Sequence, residues 1–141
     1  MNKFIKALNA ISHVRAVGHT TRKFRAVYNR AVSELPLGDR LLARLPYGVA
    51  GDEQLHVYAQ LFARRDVAMA FDKHVDAVEA LVAPLAPEGA PVASVIEYMR
   101  AMPRLYAKIT TAPEGTRAEA LETEVKTVVD RLLKTEDRAV H

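Results

Sequence analysis

Two stretches of the C-terminal half step their seam residues by three and four in strict alternation. They are Val92, Val95, Met99, Met102, Tyr106 and Ile109, then Ala118, Leu121, Val125, Val128, Leu132 and Thr135. Alternating steps of three and four mark one face of an α-helix laid against another, and a strand, with its period of two, does not produce them. The two series coincide when shifted by 26 residues, and each follows the tetrapeptide Ala-Pro-Glu-Gly, at 86–89 and 112–115. Proline and glycine stand there where a tight turn takes them. The pattern predicts a C-terminal antiparallel helical hairpin over 91–138, turned around Pro113. Pro91 suits a first helical turn, and Thr116 with Glu119 has the form of a capping box. Pro103 falls inside the first helix of the pair and is expected to kink or split it. Two units are too few for a repeat protein.

The rest of the chain carries the same periodicity. Phe4, Ala7, Leu8, Ile11 and Val14 form a short amphipathic helix expected to end near Gly18. A second helix, capped by Thr20 or Thr21, follows with Phe24, Val27, Tyr28, Ala31 and Leu35 on its apolar side. Residues 36–51 hold Pro36, Gly38, Pro46, Gly48 and Gly51, leaving room for a brief helix from Asp39 to Leu45. Between 52 and 83 the stripe Leu55, Tyr58, Phe62 gives way to Val67, Phe71, His74, Val78, Leu81. The five-residue step from Phe62 to Val67 fits neither helical spacing, so a break is expected at Arg64, Arg65 and Asp66, where Asp66 is a candidate cap.

The fold class that follows is all-α: a single-domain bundle of four to six helices over 1–141. Its parts are basic N-terminal helices (1–35), a Pro/Gly loop (36–51), a central helix or helix pair (52–83) and the hairpin (91–138). With 141 residues, half of them hydrophobic, one core is sufficient. The absence of cysteine excludes a disulfide scaffold, a thiolate metal site and a cysteine nucleophile. No apolar run approaches the length needed to cross a bilayer. A soluble protein is expected, placed in the cytoplasm or within a nucleoprotein particle.

Charge is distributed unevenly. Residues 1–33 hold seven basic side chains and no acid (+7), and the remainder holds 13 basic against 17 acidic groups (−4), which together give the net charge of +3. At about 100° per residue, Arg22, Lys23, Arg25, Asn29 and Arg30 fall opposite the apolar side of the second helix, and Lys6 and His13 extend this face from the first. Nucleic-acid phosphates or an acidic protein surface would be attracted to such a face. A membrane surface suits it less, because no tryptophan is present and the apolar side is needed for the core. The competing reading is a merely solvated face, or one neutralised by Glu119, Glu122, Glu124 and Asp130 of the last helix. A helix-turn-helix can be placed on residues 2–34, and it predicts contacts to phosphates more than to bases.

Catalytic signatures are missing. Ser12, Ser33 and Ser94 stand in no nucleophile-elbow context, and no phosphate-cradling loop occurs. Glu53 and His56 have the Glu-x-x-His spacing of carboxylate-bridged metal bundles, without the second copy such sites need. His74, flanked by Asp72 and Asp76, reads as a partly buried histidine satisfied by a neighbour. The sequence therefore points to a non-enzymatic interaction or assembly protein, with no cofactor, no metal and no small-molecule substrate. A structural or accessory component of a nucleoprotein particle such as a phage, or of a homo-oligomer, would suit it. The alternative is a small helical metal-binding protein or enzyme using Glu53, His56 and His74.

Overall fold

The structure, a computed structural model, describes residues 2–86 and 88–140, with the side chains of 2, 12, 13 and 135–140 outside the description. All regular elements among the described residues are helical. They are α1 (Asn2–His13), α2 (Arg15–Ser33), α3 (Leu37–Arg44), α4 (Gly51–Ala63), α5 (Arg65–Val82), α6 (Val92–Lys108) and α7 (Arg117–Val140). Single 3-10 turns follow α5 and α6, at Ala83–Leu85 and Ile109–Thr111. Seven α-helices are one more than the upper end of the expected range.

The first boundary differs from expectation for a tertiary reason. α1 ends at His13, Val14 is extended, and Gly18 lies inside α2. Ile11 and Val17 both enter the cluster formed by Phe4, Val75, Val78, Val82, Val95 and Ile96. In an unbroken helix, residues six apart face about 120° away from each other. The bend at Val14 lets both reach the same core. Thr20 and Thr21 cap nothing; each hydroxyl donates to the Val17 carbonyl at 2.9 Å, a bond formed within the helix.

The phase change after Phe62 coincides with a single extended residue, Arg64, between α4 and α5. Asp66 lies within α5, where its carboxylate accepts from the Val67 amide at 2.8 Å and from two Arg64 nitrogens at 3.1 and 3.0 Å. α6 runs through Pro103 without splitting.

Two polar side chains fix the segments between helices. Gln54, on the first turns of α4, is buried. Its oxygen accepts from the Gly48 amide at 2.8 Å, and its nitrogen donates to the carbonyls of Leu42, Leu45 and Pro46 at 3.0–3.2 Å. This side chain does for the loop what a neighbouring backbone would do, while Leu37, Leu41, Leu45, Tyr47 and Val49 on the same segment face solvent. Asp52 starts the last helix. The Arg117 amide donates to its carboxylate at 2.9 Å across 65 residues of sequence, and the Arg117 guanidinium pairs with its second oxygen. The expected capping bond of Thr116 is replaced by donation from its hydroxyl to the Pro113 carbonyl at 2.6 Å. Both Ala-Pro-Glu-Gly turns end on a left-handed glycine, Gly89 at φ 82° and Gly115 at φ 88°, a conformation in which a Cβ would be strained.

Three apolar clusters lie between the helices. One joins α4, α6 and α7 through Leu55, Ala59, Leu105, Ile109, Leu121 and Leu132. A second joins α1, α2, α5 and α6, and the third joins α2, α4 and α5 through Ala31, Val32, Val57, Leu61 and Val67. Phe62 and Tyr58 pack against both the first and the third.

Two outcomes test this account. Gln54→Leu keeps the volume but strands the Gly48 amide and the carbonyls of Leu42 and Leu45, the Pro46 carbonyl keeping the Val49 amide, so urea unfolding should show a loss of about 2–4 kcal/mol; a near-neutral result would mean that water replaces the side chain. Asp52 adds a dependence on pH. Partial burial works to raise its carboxyl, but the amides of Arg117 and Gly115 and the Arg117 guanidinium outweigh this and hold it below its ordinary value of 3.8. The stabilisation is complete above that value and is lost as pH falls through the lowered one. The Tm gap between wild type and Asp52→Asn should therefore close on acidification, whereas parallel Tm curves would dismiss the assignment.

Candidate anion-binding interface

α2 is anchored by buried Val17, Ala31 and Val32 and lies mainly along α5. The two run antiparallel: Thr20 meets His74 near one end, and Glu34 meets Arg64 at the other. This seating leaves Arg22, Lys23, Arg25, Asn29 and Arg30 exposed on α2 and Lys6 exposed on α1. His13 lies at the end of α1, with its side chain outside the described residues.

Among the described residues, the ion pairs engage Arg64, Arg100, Lys108 and Arg117, all beyond residue 33. Lys6, Arg22, Lys23, Arg25 and Arg30 enter none of them. Glu124 of the last helix pairs with Lys108 of α6 at 3.2 Å rather than with α2. Arg64 holds both Glu34 at 2.7 Å and Asp66 at 3.0 Å, engaging the acids at the C-terminal end of α2 and the start of α5. Arg100 does the same for Asp76 and Glu79, which face α6. Glu34 at the end of α2 and Asp66 at the start of α5 are thus engaged by an arginine that is not part of the cationic helix.

The structure divides the predicted face. Lys23 and Arg30 flank Phe24 and Val27 along a groove of about 660 Å³ between α2 and α5. Arg22, Arg25 and Asn29 project from the far flank of the helix, following its turn of about 100° per residue. The opposite wall of the groove is Asp66, Met69, Ala70, Lys73, His74 and Ala77 of α5. Lys73 and Met69 belong to this surface although they lie 43 and 39 residues from Arg30 in sequence. Their only local signal was position on the polar side of a helix whose neighbour was not known.

His74 is half-buried at one end of the groove. Its Nδ1 lies 2.9 Å from the Thr20 hydroxyl, and its ring is stacked near Phe24 at 5.9 Å. Burial depresses its pKa below the ordinary 6.5, and the bond to Thr20 offsets this only in part. The partly buried, neighbour-satisfied reading of His74 describes this arrangement.

Glu53 and His56 lie elsewhere, in a cavity of about 330 Å³ with Asp39, Glu114 and Arg117. His56 Nε2 accepts from the Gln60 amide at 2.8 Å. The expectation that Glu53, His56 and His74 would serve one site is corrected by their placement: the first two line one cavity and the third lines another. No group of three or more His, Cys, Asp or Glu among the described residues is arranged to hold a metal ion.

No family model, curated protein or solved structure matches the chain.

The depressed pKa of His74 has a measurable consequence. As pH falls through 6.5 the unfolded chain takes up a proton that folded His74 resists, so stability declines with acidification. His74→Gln should flatten the decline in unfolding free energy between pH 7 and pH 5.5 while keeping a bond to Thr20. An unchanged slope would assign the effect to other groups.

Proposed function

We propose that this chain is a non-enzymatic interaction or assembly protein whose N-terminal helices dock the phosphates of nucleic acid. What carries the reading is that the cations of α2 face solvent with no ion pair among the described residues, while Glu34 and Asp66, at the end of α2 and the start of α5, are engaged by Arg64. Phosphates attract such side chains whatever the base sequence, so binding is expected to be strong in low salt and weakly sequence-selective. Lys6, Arg22, Lys23, Arg25, Asn29 and Arg30 form the contact set, with His13 beside them at the end of α1. In this reading α6 and α7 form the antiparallel hairpin that braces the bundle. Their shared cluster and the Lys108–Glu124 pair support that arrangement. A structural or accessory role in a nucleoprotein particle such as a phage, or in another cytoplasmic assembly, suits a protein that holds rather than transforms its partner.

Salt dependence tests the proposal. If Arg22, Lys23, Arg25 and Arg30 all meet phosphates of a duplex, log K falls against log salt with a slope of roughly −3.6. Arg22→Ala with Arg25→Ala should reduce it to roughly −1.8, with little change in Tm because both side chains are exposed. A flat salt response, or selective binding to an acidic protein in place of duplex, would overturn the nucleic-acid reading.

A further inference from the structure

We infer that the groove between α2 and α5 seats an acidic amphipathic helix of a partner protein. This rests on the groove and its rims Lys23, Arg30 and Lys73; Lys23 and Arg30 are shared with the proposed phosphate contacts, whereas Arg22 and Arg25 on the far flank serve the nucleic-acid reading alone.

Length is the first argument. The α2 wall runs from Thr20 to Arg30, about 15 Å at 1.5 Å per residue, close to three helical turns. That matches the span of an apolar stripe presented at i, i+3 or i+4, and i+7 by a docked helix. The floor is the second. Val27 of α2 lines it together with Ala70 and Ala77, short side chains one heptad apart on α5; small side chains at such positions let a further helix axis approach to about 8–10 Å. Met69, half-exposed at the groove, is an unbranched and adaptable side chain of the kind that moulds to an apolar partner.

Charge identifies the occupant. Lys23 and Arg30 rise from one wall and Lys73 from the other. The acid lining the groove, Asp66, is held by two nitrogens of Arg64. An apolar floor between cationic rims complements one apolar stripe flanked by glutamates or aspartates. A nucleic acid would lay phosphates over Val27 and Met69, and a neutral helix would leave three cations unanswered.

The test uses the full chain as bait for a displayed library of three- to four-turn helical peptides. Enriched peptides are expected to carry apolar residues at helical spacing with acidic residues beside them. Lys73→Glu should weaken the best of them at least tenfold, and exchanging a glutamate of the peptide for lysine should recover part of the loss on that variant. Ala70→Trp, which fills the floor without changing charge, should also abolish binding, with the thermal transition confirming a folded chain. Arg22→Glu with Arg25→Glu should leave peptide affinity within about twofold while lowering duplex affinity, so the two readings fail separately. The inference is overturned if no acidic amphipathic peptide is enriched, or if the enriched peptides bind Lys73→Glu as tightly as wild type. It is equally overturned if dodecyl phosphate or duplex DNA, rather than a helix, proves to be the tighter occupant of the groove.

Discussion

The ring of Phe62 is the contact on which the arrangement of the other helices depends. It stands on the last turn of α4 and stacks on Tyr106 of α6 with centroids 5.1 Å apart. It meets Phe71 of α5 edge-on at 5.8 Å and lies beside Phe24 and Tyr28 of α2 at 6.4 and 6.2 Å. Three helices are thus positioned by one side chain, each in an offset or edge-to-face geometry that adds about 0.5–1.5 kcal/mol beyond simple burial. The row continues through Tyr58 to Tyr47 near the surface. Because Phe24 rests on this row, the rotation of α2 about its own axis is set, and with it the side of the helix that carries its cations outward.

The ion pairs have a different part. Most are exposed at one partner or both and contribute little stability each. Their value lies in selecting geometry. Arg64, the single extended residue between α4 and α5, bonds to the end of α2 and to the start of α5, so the bend and the α2–α5 packing are fixed at one point. By satisfying Glu34 and Asp66 it also leaves the adjoining cations without a competing acid. A residue that shapes the backbone and a surface that carries positive potential are in this way linked through one guanidinium.

What could be read from the amino-acid order follows from this division. Helices with a stripe long enough to average over local noise, such as Val95 to Ile109 or Leu121 to Leu132, were evident from spacing alone. So was the five-residue step at Phe62, because a break in phase is a local property. Val14 was not, since only the shared core of Ile11 and Val17 makes a bend there preferable to one at Gly18. The start of α7 was misread for a similar reason: Thr116 and Glu119 have the right local form, but Asp52 arrives from another helix and satisfies the first amide. Lys73 joined the cationic surface only once α5 was known to lie beside α2. In each case the deciding partner stands far away along the chain, and no periodicity reports it.

Gln54 has a longer reach than its size suggests. It holds the 42–48 segment by its own amide, so the backbone course there does not rely on which side chains that segment displays. Leu37, Leu41 and Leu45 are exposed and are free to be exchanged over generations without disturbing the chassis, provided position 54 can still give and receive hydrogen bonds. The molecule thereby separates a part that inheritance must keep from a part that it can rewrite, and new specificities can arise on that loop at little cost to folding.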